Sequence, residues 1–110
     1  MRVRVKYFAG FRRLMGVMEE TYELEEGTRL ITLLSKIIPD RHPELSERWR
    51  DRLFLSRDGR LELDEEGNPV PNRAYMILLN GRHYNEYEEG INRPLRDGDT
   101  IAILELVGGG

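Results

Sequence analysis

The chain has no cysteine, and only two histidines among its 110 residues. Without thiols there is no disulfide scaffold, no cysteine-ligated iron–sulfur cluster, no Cys-containing zinc site and no cysteine nucleophile. His42 and His83 share no metal-ligand spacing and read as ordinary surface or loop histidines. Long apolar runs are also lacking. The first residues alternate as Arg2-Val3-Arg4-Val5-Lys6-Tyr7, which is unlike the core of a signal peptide, and no later run is long enough to span a bilayer. A cytoplasmic location without a membrane partner is therefore expected. Lysine is nearly absent, at positions 6 and 36 alone, so the basic complement is arginine, which suits directional ion pairs. A formal net charge of -3 supplies no bulk attraction for nucleic acid. The length fits one domain, residues 1–110, whose core needs neither metal nor disulfide as a staple.

What is present is a clear order of periodic segments. Val3, Val5 and Tyr7 face one side of an opening strand, with Arg2, Arg4, Lys6 and Phe8 on the other. Tyr22 and Leu24 alternate with Thr21, Glu23 and Glu25 in the same way, so antiparallel pairing joins the apolar sets and sets glutamates beside the basic residues. The connection between them predicts a helical turn around Phe11 to Met15, ended by Gly16. Thr28 is a plausible N-cap for the main helix, whose buried stripe is Leu30, Leu33, Leu34, Ile37 and Ile38, and Pro39 is expected to stop it. Glu44 to Arg52 reads as a second, more exposed helix carrying Leu45 and Trp49. Trp49 fits core packing better than a partner anchor.

Leu53 to Leu55 and Arg60 to Leu63 flank the turn signal Asp58-Gly59, predicting a small hairpin, and Asp64 to Asn72 reads as a mobile surface loop. Tyr75 to Leu79 is a nearly continuous apolar strand closed by Asn80-Gly81. A polar connection, Arg82 to Arg93, leads to the final strand, Thr100 to Leu104, which is apolar on both faces and so reads as central. Gly108-Gly109-Gly110 follow almost at once. Such an end can thread a narrow channel and deliver a carboxylate to another protein, or it can be a frayed terminus.

This order resembles the ubiquitin-like β-grasp, an α+β fold with a mixed sheet packed against one main amphipathic helix. Val3 to Phe8 with Ala9 and Phe11-Arg12-Arg13-Leu14-Met15-Gly16 resembles the opening of the MoaD family of molybdopterin synthase small subunits, the ThiS-like ubiquitin-like sulfur carriers. Leu78-Leu79-Asn80-Gly81-Arg82 is similar to that family's apolar-strand and Asn-Gly element, Leu95 to Ala102 to its penultimate turn and last strand, and Gly109-Gly110 to its reactive end. The resemblance covers nearly the whole chain. Two departures stand out: an extension at 53–72, and Glu105-Leu106 where a proline-rich or aromatic approach to the flexible tail at 105–110 is expected.

The resemblance implies a sulfur carrier with a C-terminal glycine thiocarboxylate, the small subunit of molybdopterin synthase in molybdenum cofactor biosynthesis. Gly110 and Gly109 would carry the sulfur without acting as acid or base; if a residue is removed before activation, Gly109 becomes the terminus. The chain is then a sulfur-carrying subunit of a heteromeric synthase and binds no cofactor itself, ATP and Mg being used by the activating partner. Its implied partners are a MoaE-like large catalytic subunit, an E1-like adenylating enzyme and a sulfur donor. The expected docking residues are Phe8, Met76, Leu78, Ala102 and Leu104 on the outer sheet face, unless the extension covers them, with Leu106, Val107 and Gly108 leading to the tail. Other readings are a ubiquitin-like protein modifier, a sulfur carrier for tRNA thiolation and, in a different class, an RNA-binding β-grasp module. The acidic alternating strand disfavours the last.

Overall fold

The structure, a computed structural model, describes residues 1–105. β1 (Arg2–Tyr7) leads through α1 (Ala9–Met15) into β2 (Glu19–Glu23), which begins two residues before the strand read from the sequence. Gly16, with φ of 75°, ends α1 as expected; that left-handed conformation suits a residue without a Cβ. The two strands pair antiparallel, Val3 opposite Tyr22 and Lys6 opposite Glu19. Cross-strand neutralisation also appears: Arg2 Nε lies 2.6 Å from Glu23 Oε1, and Arg4 Nη2 lies 2.9 Å from Glu19 Oε2.

The main helix differs from expectation at both ends. Thr28 is not its cap. The Thr28 hydroxyl donates to the Glu25 carbonyl, Arg29 occupies the N-cap without a side-chain bond, and the Leu30 amide donates to the Arg93 carbonyl. A distant backbone carbonyl thus satisfies a donor that a capping side chain usually serves. Nor does Pro39 stop the helix. α2 (Leu30–Thr32) widens into a π-helical segment, Leu33–Ile37, and continues as α3 (Ile38–Arg41), with Pro39 buried inside it.

The π segment explains how the proline is accommodated. Proline lacks an N–H and its ring crowds the carbonyl four residues back. Here the Ile38 amide donates to Leu33 instead of Leu34, opening the turn beneath Pro39. That shift leaves the Leu34 carbonyl without its ordinary donor, and Pro39, next in line, has none to give. The Trp49 indole supplies one, Nε1 donating to Leu34 O at 2.8 Å.

Trp49 belongs to α4 (Ser46–Leu53), which a 3-10 turn, Pro43–Leu45, joins to the main helix. It is buried with Tyr7 and Phe11 at ring-centroid distances of 6.0 and 5.3 Å, both edge-to-face. Core packing is therefore its place. Leu30, Leu33, Leu34 and Ile38 are fully buried as the stripe predicts, whereas Ile37 is only half-buried at the core's margin.

β3 (Ser56–Arg57) and β4 (Arg60–Leu61) form a small hairpin about the expected Asp58-Gly59 turn, where both residues have positive φ, but its first strand is not Leu53 to Leu55: Leu53 ends α4, and the pairing falls on the two residues next to the tight turn. The segment Asp64 to Asn72 is more ordered than its polar composition suggested. Its backbone bonds back to the chain before it: Leu55 N to Val70 O, Val70 N to Glu62 O and Asn72 N to Leu53 O. Asp64 Oδ1 accepts from the amides of Glu66 and Asn68, and Asn68 is buried. These bonds, with Asn68 Nδ2 donating to Asn92 Oδ1, anchor the extension to the end of α4 and to the 3-10 turn Gly90–Asn92.

β5 (Tyr75–Leu79) and β6 (Arg82–His83) form the last hairpin, and β7 (Thr100–Glu105) closes the fold. The strand order is β2-β1-β7-β5-β6, with β7 parallel to β1 and antiparallel to β5. The last strand is thus central, as its two-sided apolar pattern predicts, in a mixed β-grasp sheet. Val3, Val5, Tyr7, Ile77, Leu79, Ile101 and Ile103 are buried on its inner face.

The β2 edge carries a half-buried polar cluster. Glu20 Oε1 accepts from the hydroxyls of Tyr7 at 2.7 Å and Tyr22 at 3.1 Å, and Glu20 Oε2 lies 2.8 Å from His42 Nε2. Arg41 stacks over Tyr22 and donates from Nη1 to the Thr21 carbonyl on the strand's open side. Burial first, then the neighbouring Tyr22 and the bond to Glu20, push the Tyr7 phenol well above its ordinary value of 10.0. Tyr22 is raised by burial and by the Glu20 charge.

A phenol whose folded pKa is raised favours the fold fully below its unfolded pKa, and that contribution is lost as pH rises beyond it. Stability is therefore expected to fall above about pH 10, with Tyr7 contributing about 1.4 kcal/mol per pH unit. Urea unfolding across an alkaline pH series checks this; Tyr7→Phe should flatten the decline.

Candidate functional site

β7 places Ala102 and Leu104 on the face opposite Ile101 and Ile103, because side chains alternate along a strand. Register sets their neighbours. Ala102 lies between Lys6 of β1 and Leu78 of β5, and Leu104 is opposite Met76. Phe8 follows β1 at the same end, its amide donating to the Ile103 carbonyl at 3.2 Å. The five residues read from the sequence as an outer strip are therefore brought onto one face of three adjoining chain segments.

All five are half-buried. Charge and polarity border them: Lys6 opposite Glu19 on one side, His83 opposite Leu78 on the other, and the Arg12 guanidinium 5.5 Å from the Phe8 ring centre. Apolar centre and charged rim is the usual anatomy of a heteromeric contact. The extension's hydrogen bonds run to α4 and the Gly90–Asn92 turn, while Val70, Pro71 and Asn72 line a recess together with Met76 and His83, so the extension borders the strip at Met76. Leu106, Val107, Gly108, Gly109 and Gly110 lie outside the described residues.

One feature of this end was not legible in the sequence as a contact. Glu105 Oε1 accepts a hydrogen bond from the Gly10 amide at 3.0 Å, across 95 residues of sequence. A Cβ on residue 10 would run into that carboxylate oxygen and into Arg52 Nη1, so the absence of a side chain is what lets the two groups meet there. The acidic residue that departs from the expected approach to the tail is thus the one that fastens the end of β7 to α1. Glycine at position 10 beside an unexpected Glu105 was the available signal, but neither alone specified the other.

Val17 and Met18, in the turn after α1, are large apolar residues left exposed and were also not anticipated. Among the described residues no group of three or more His, Cys, Asp or Glu side chains could hold a metal ion, and no helix is long and apolar enough to cross a membrane.

The profile of the ThiS family matches residues 5–110. The molybdopterin synthase sulfur carrier subunit of Chlamydomonas reinhardtii is 28% identical over 110 residues, covering all of both chains. Among solved structures, a Pyrococcus furiosus chain assigned as subunit 1 of a molybdopterin converting factor is 33% identical, with a TM-score of 0.65 over 97% of this chain and 99% of that one. Small archaeal modifier protein 1 from Methanosarcina acetivorans is 29% identical, with a TM-score of 0.69 over 99% of this chain and 96% of that one.

Proposed function

We propose that this chain, which belongs to the ThiS family, carries sulfur on its C-terminal glycine as the small subunit of a molybdopterin synthase. The observation that carries the reading is the extent of the family match, which runs through the sheet and on through Gly109 and Gly110. The likeness to a named sulfur carrier subunit over its full length supports the same pathway.

A carboxylate is a poor acyl electrophile, so an adenylating partner using ATP and Mg must first join the Gly110 carboxylate to AMP, releasing pyrophosphate. A sulfide-level donor then attacks the acyl carbon. The C–S bond forms as the C–O bond to AMP breaks, leaving a thiocarboxylate whose sulfur is nucleophilic. The chain's own contribution is placement. Its folded body supplies binding energy, while the glycine end, lacking side chains, brings the sulfur to a precursor held by a large catalytic subunit. On this reading Phe8, Met76, Leu78, Ala102 and Leu104 form the docking strip, and Leu106, Val107 and Gly108 bridge it to the reactive end.

The test is to incubate the chain with its adenylating enzyme, Mg-ATP and a sulfide source, and to weigh the product. The expected gain is that of one oxygen replaced by sulfur, and the terminal glycine should carry it. A chain that never gains that mass refutes the carrier reading, whereas an isopeptide bond to a target lysine would mark a protein modifier. Docking is tested separately. Leu104→Arg should weaken binding to the large subunit by more than about tenfold, because a charge would enter the apolar centre of the contact. Titration calorimetry measures that loss, and thermal melts should show the half-buried position costing the fold about 1 kcal/mol or less.

A further inference from the structure

Beside the root of the C-terminal segment lies a cleft of about 620 Å³ between α1 and α4. Arg13 reaches it from α1, and Arg48 and Arg52 reach it from α4, with Asn72 and Tyr75 closing the wall. Among the described residues none of these three arginines belongs to a salt bridge. The lining holds three guanidiniums and one carboxylate, Asp51, with the Glu105 carboxylate beside Arg52 at its edge, so positive charge remains in excess. That local excess sits in a chain whose formal net charge is -3.

Position gives the excess a use. Gly10 lines the cleft and donates its amide to Glu105, the last described residue of β7. Tyr75 also lines it and is the cross-strand partner of Glu105. Residues 106–110 follow directly, so a protein that takes hold of them comes up against this cleft. Arg52 is partly set in place, its guanidinium carbon 5.8 Å from the centre of the Phe11 ring.

We propose that the cleft between α1 and α4 is an oxyanion site that receives an aspartate or glutamate side chain of the protein to which the C-terminal segment is delivered. The proposal rests on the carrier reading for the identity of that protein. A guanidinium fork matches a carboxylate with two parallel hydrogen bonds, and several such groups facing one recess select for an acidic partner surface. Complementary charge at the edge of a contact also steers the encounter and fixes its orientation. A protein carboxylate is favoured over a nucleic-acid backbone because the arginines of the neighbouring sheet face, Arg2 and Arg4, are already paired with glutamates and form no continuation of the patch.

The full-length Arg48→Glu/Arg52→Glu variant tests this against the adenylating enzyme and the large subunit, with Arg48→Gln/Arg52→Gln as a milder variant that carries the comparison if charge reversal prevents folding. Reversal should weaken binding to at least one of the two proteins by about tenfold or more, neutralisation by less, and raised salt should narrow the difference. Unchanged affinity for both proteins overturns the proposal. A parallel titration of the wild-type chain with orthophosphate follows the arginine Nε–Hε signals by NMR. If phosphate moves those of Arg48 and Arg52 while neither partner's affinity responds to the variants, the site serves a free anion and the proposal falls. Sulfur loading of the wild-type chain separates the two claims: failure to load with weakened binding in the variant refutes the carrier reading alone, and normal loading with unchanged binding refutes the cleft alone.

Discussion

Trp49→Ala should cost the fold about 3–5 kcal/mol, the range for deleting a large buried aromatic. Two losses combine. The side chain fills the space between Tyr7 and Phe11, and its indole N–H is the donor to the Leu34 carbonyl. Trp49→Phe isolates the second loss. It keeps most of the ring volume but leaves a buried carbonyl unpaired, at about 1–3 kcal/mol. Urea unfolding followed by far-UV circular dichroism measures both, since the variants lack the chain's single tryptophan. A double-mutant cycle assigns the cause: Pro39→Ala restores an N–H in the turn beyond Leu34, so the Trp49→Phe penalty should shrink in that background. Equal penalties in both backgrounds would mean that the indole bond is not compensating for the proline.

Deleting residues 109 and 110 should abolish sulfur loading while changing stability by less than about 0.5 kcal/mol. The contrast follows from where the core ends, since Ile103 is the last fully buried residue along β7. Mass measurement after incubation with the adenylating enzyme reads the first effect, and thermal melting reads the second. A truncated chain that still gains sulfur would place the reactive group elsewhere. One that no longer folds would mean that the end contributes to the body.

The strands and their facing were legible because alternation is a local property. Once Val3, Val5 and Tyr7 were inward, Phe8 had to be outward, and the same logic placed Ala102, Leu104, Met76 and Leu78. The main helix was legible along its stripe and misleading at Pro39, because the rule that proline ends a helix assumes the ordinary hydrogen-bond spacing. A widened turn evades it, and the cost falls on a carbonyl that only a residue fifteen positions away, Trp49, satisfies. The segment Asp64 to Asn72 was misread for a related reason. A composition of three acidic residues, Gly67 and two prolines reports what the side chains prefer, while its order comes from backbone bonds to Leu53, Leu55 and Glu62. The clasp of Glu105 on Gly10 joins opposite ends of the chain, and no pattern within a short window contains it.

The bond from Arg41 to the Thr21 carbonyl bears on association through the sheet edge. β2 is an outer strand of the sheet, and an outer strand offers unpaired backbone groups to any extended chain that drifts alongside, the first step toward fibre-like stacking. A guanidinium already seated on one of those carbonyls removes an acceptor from that row and sets a hydrated cation where an incoming strand would lie.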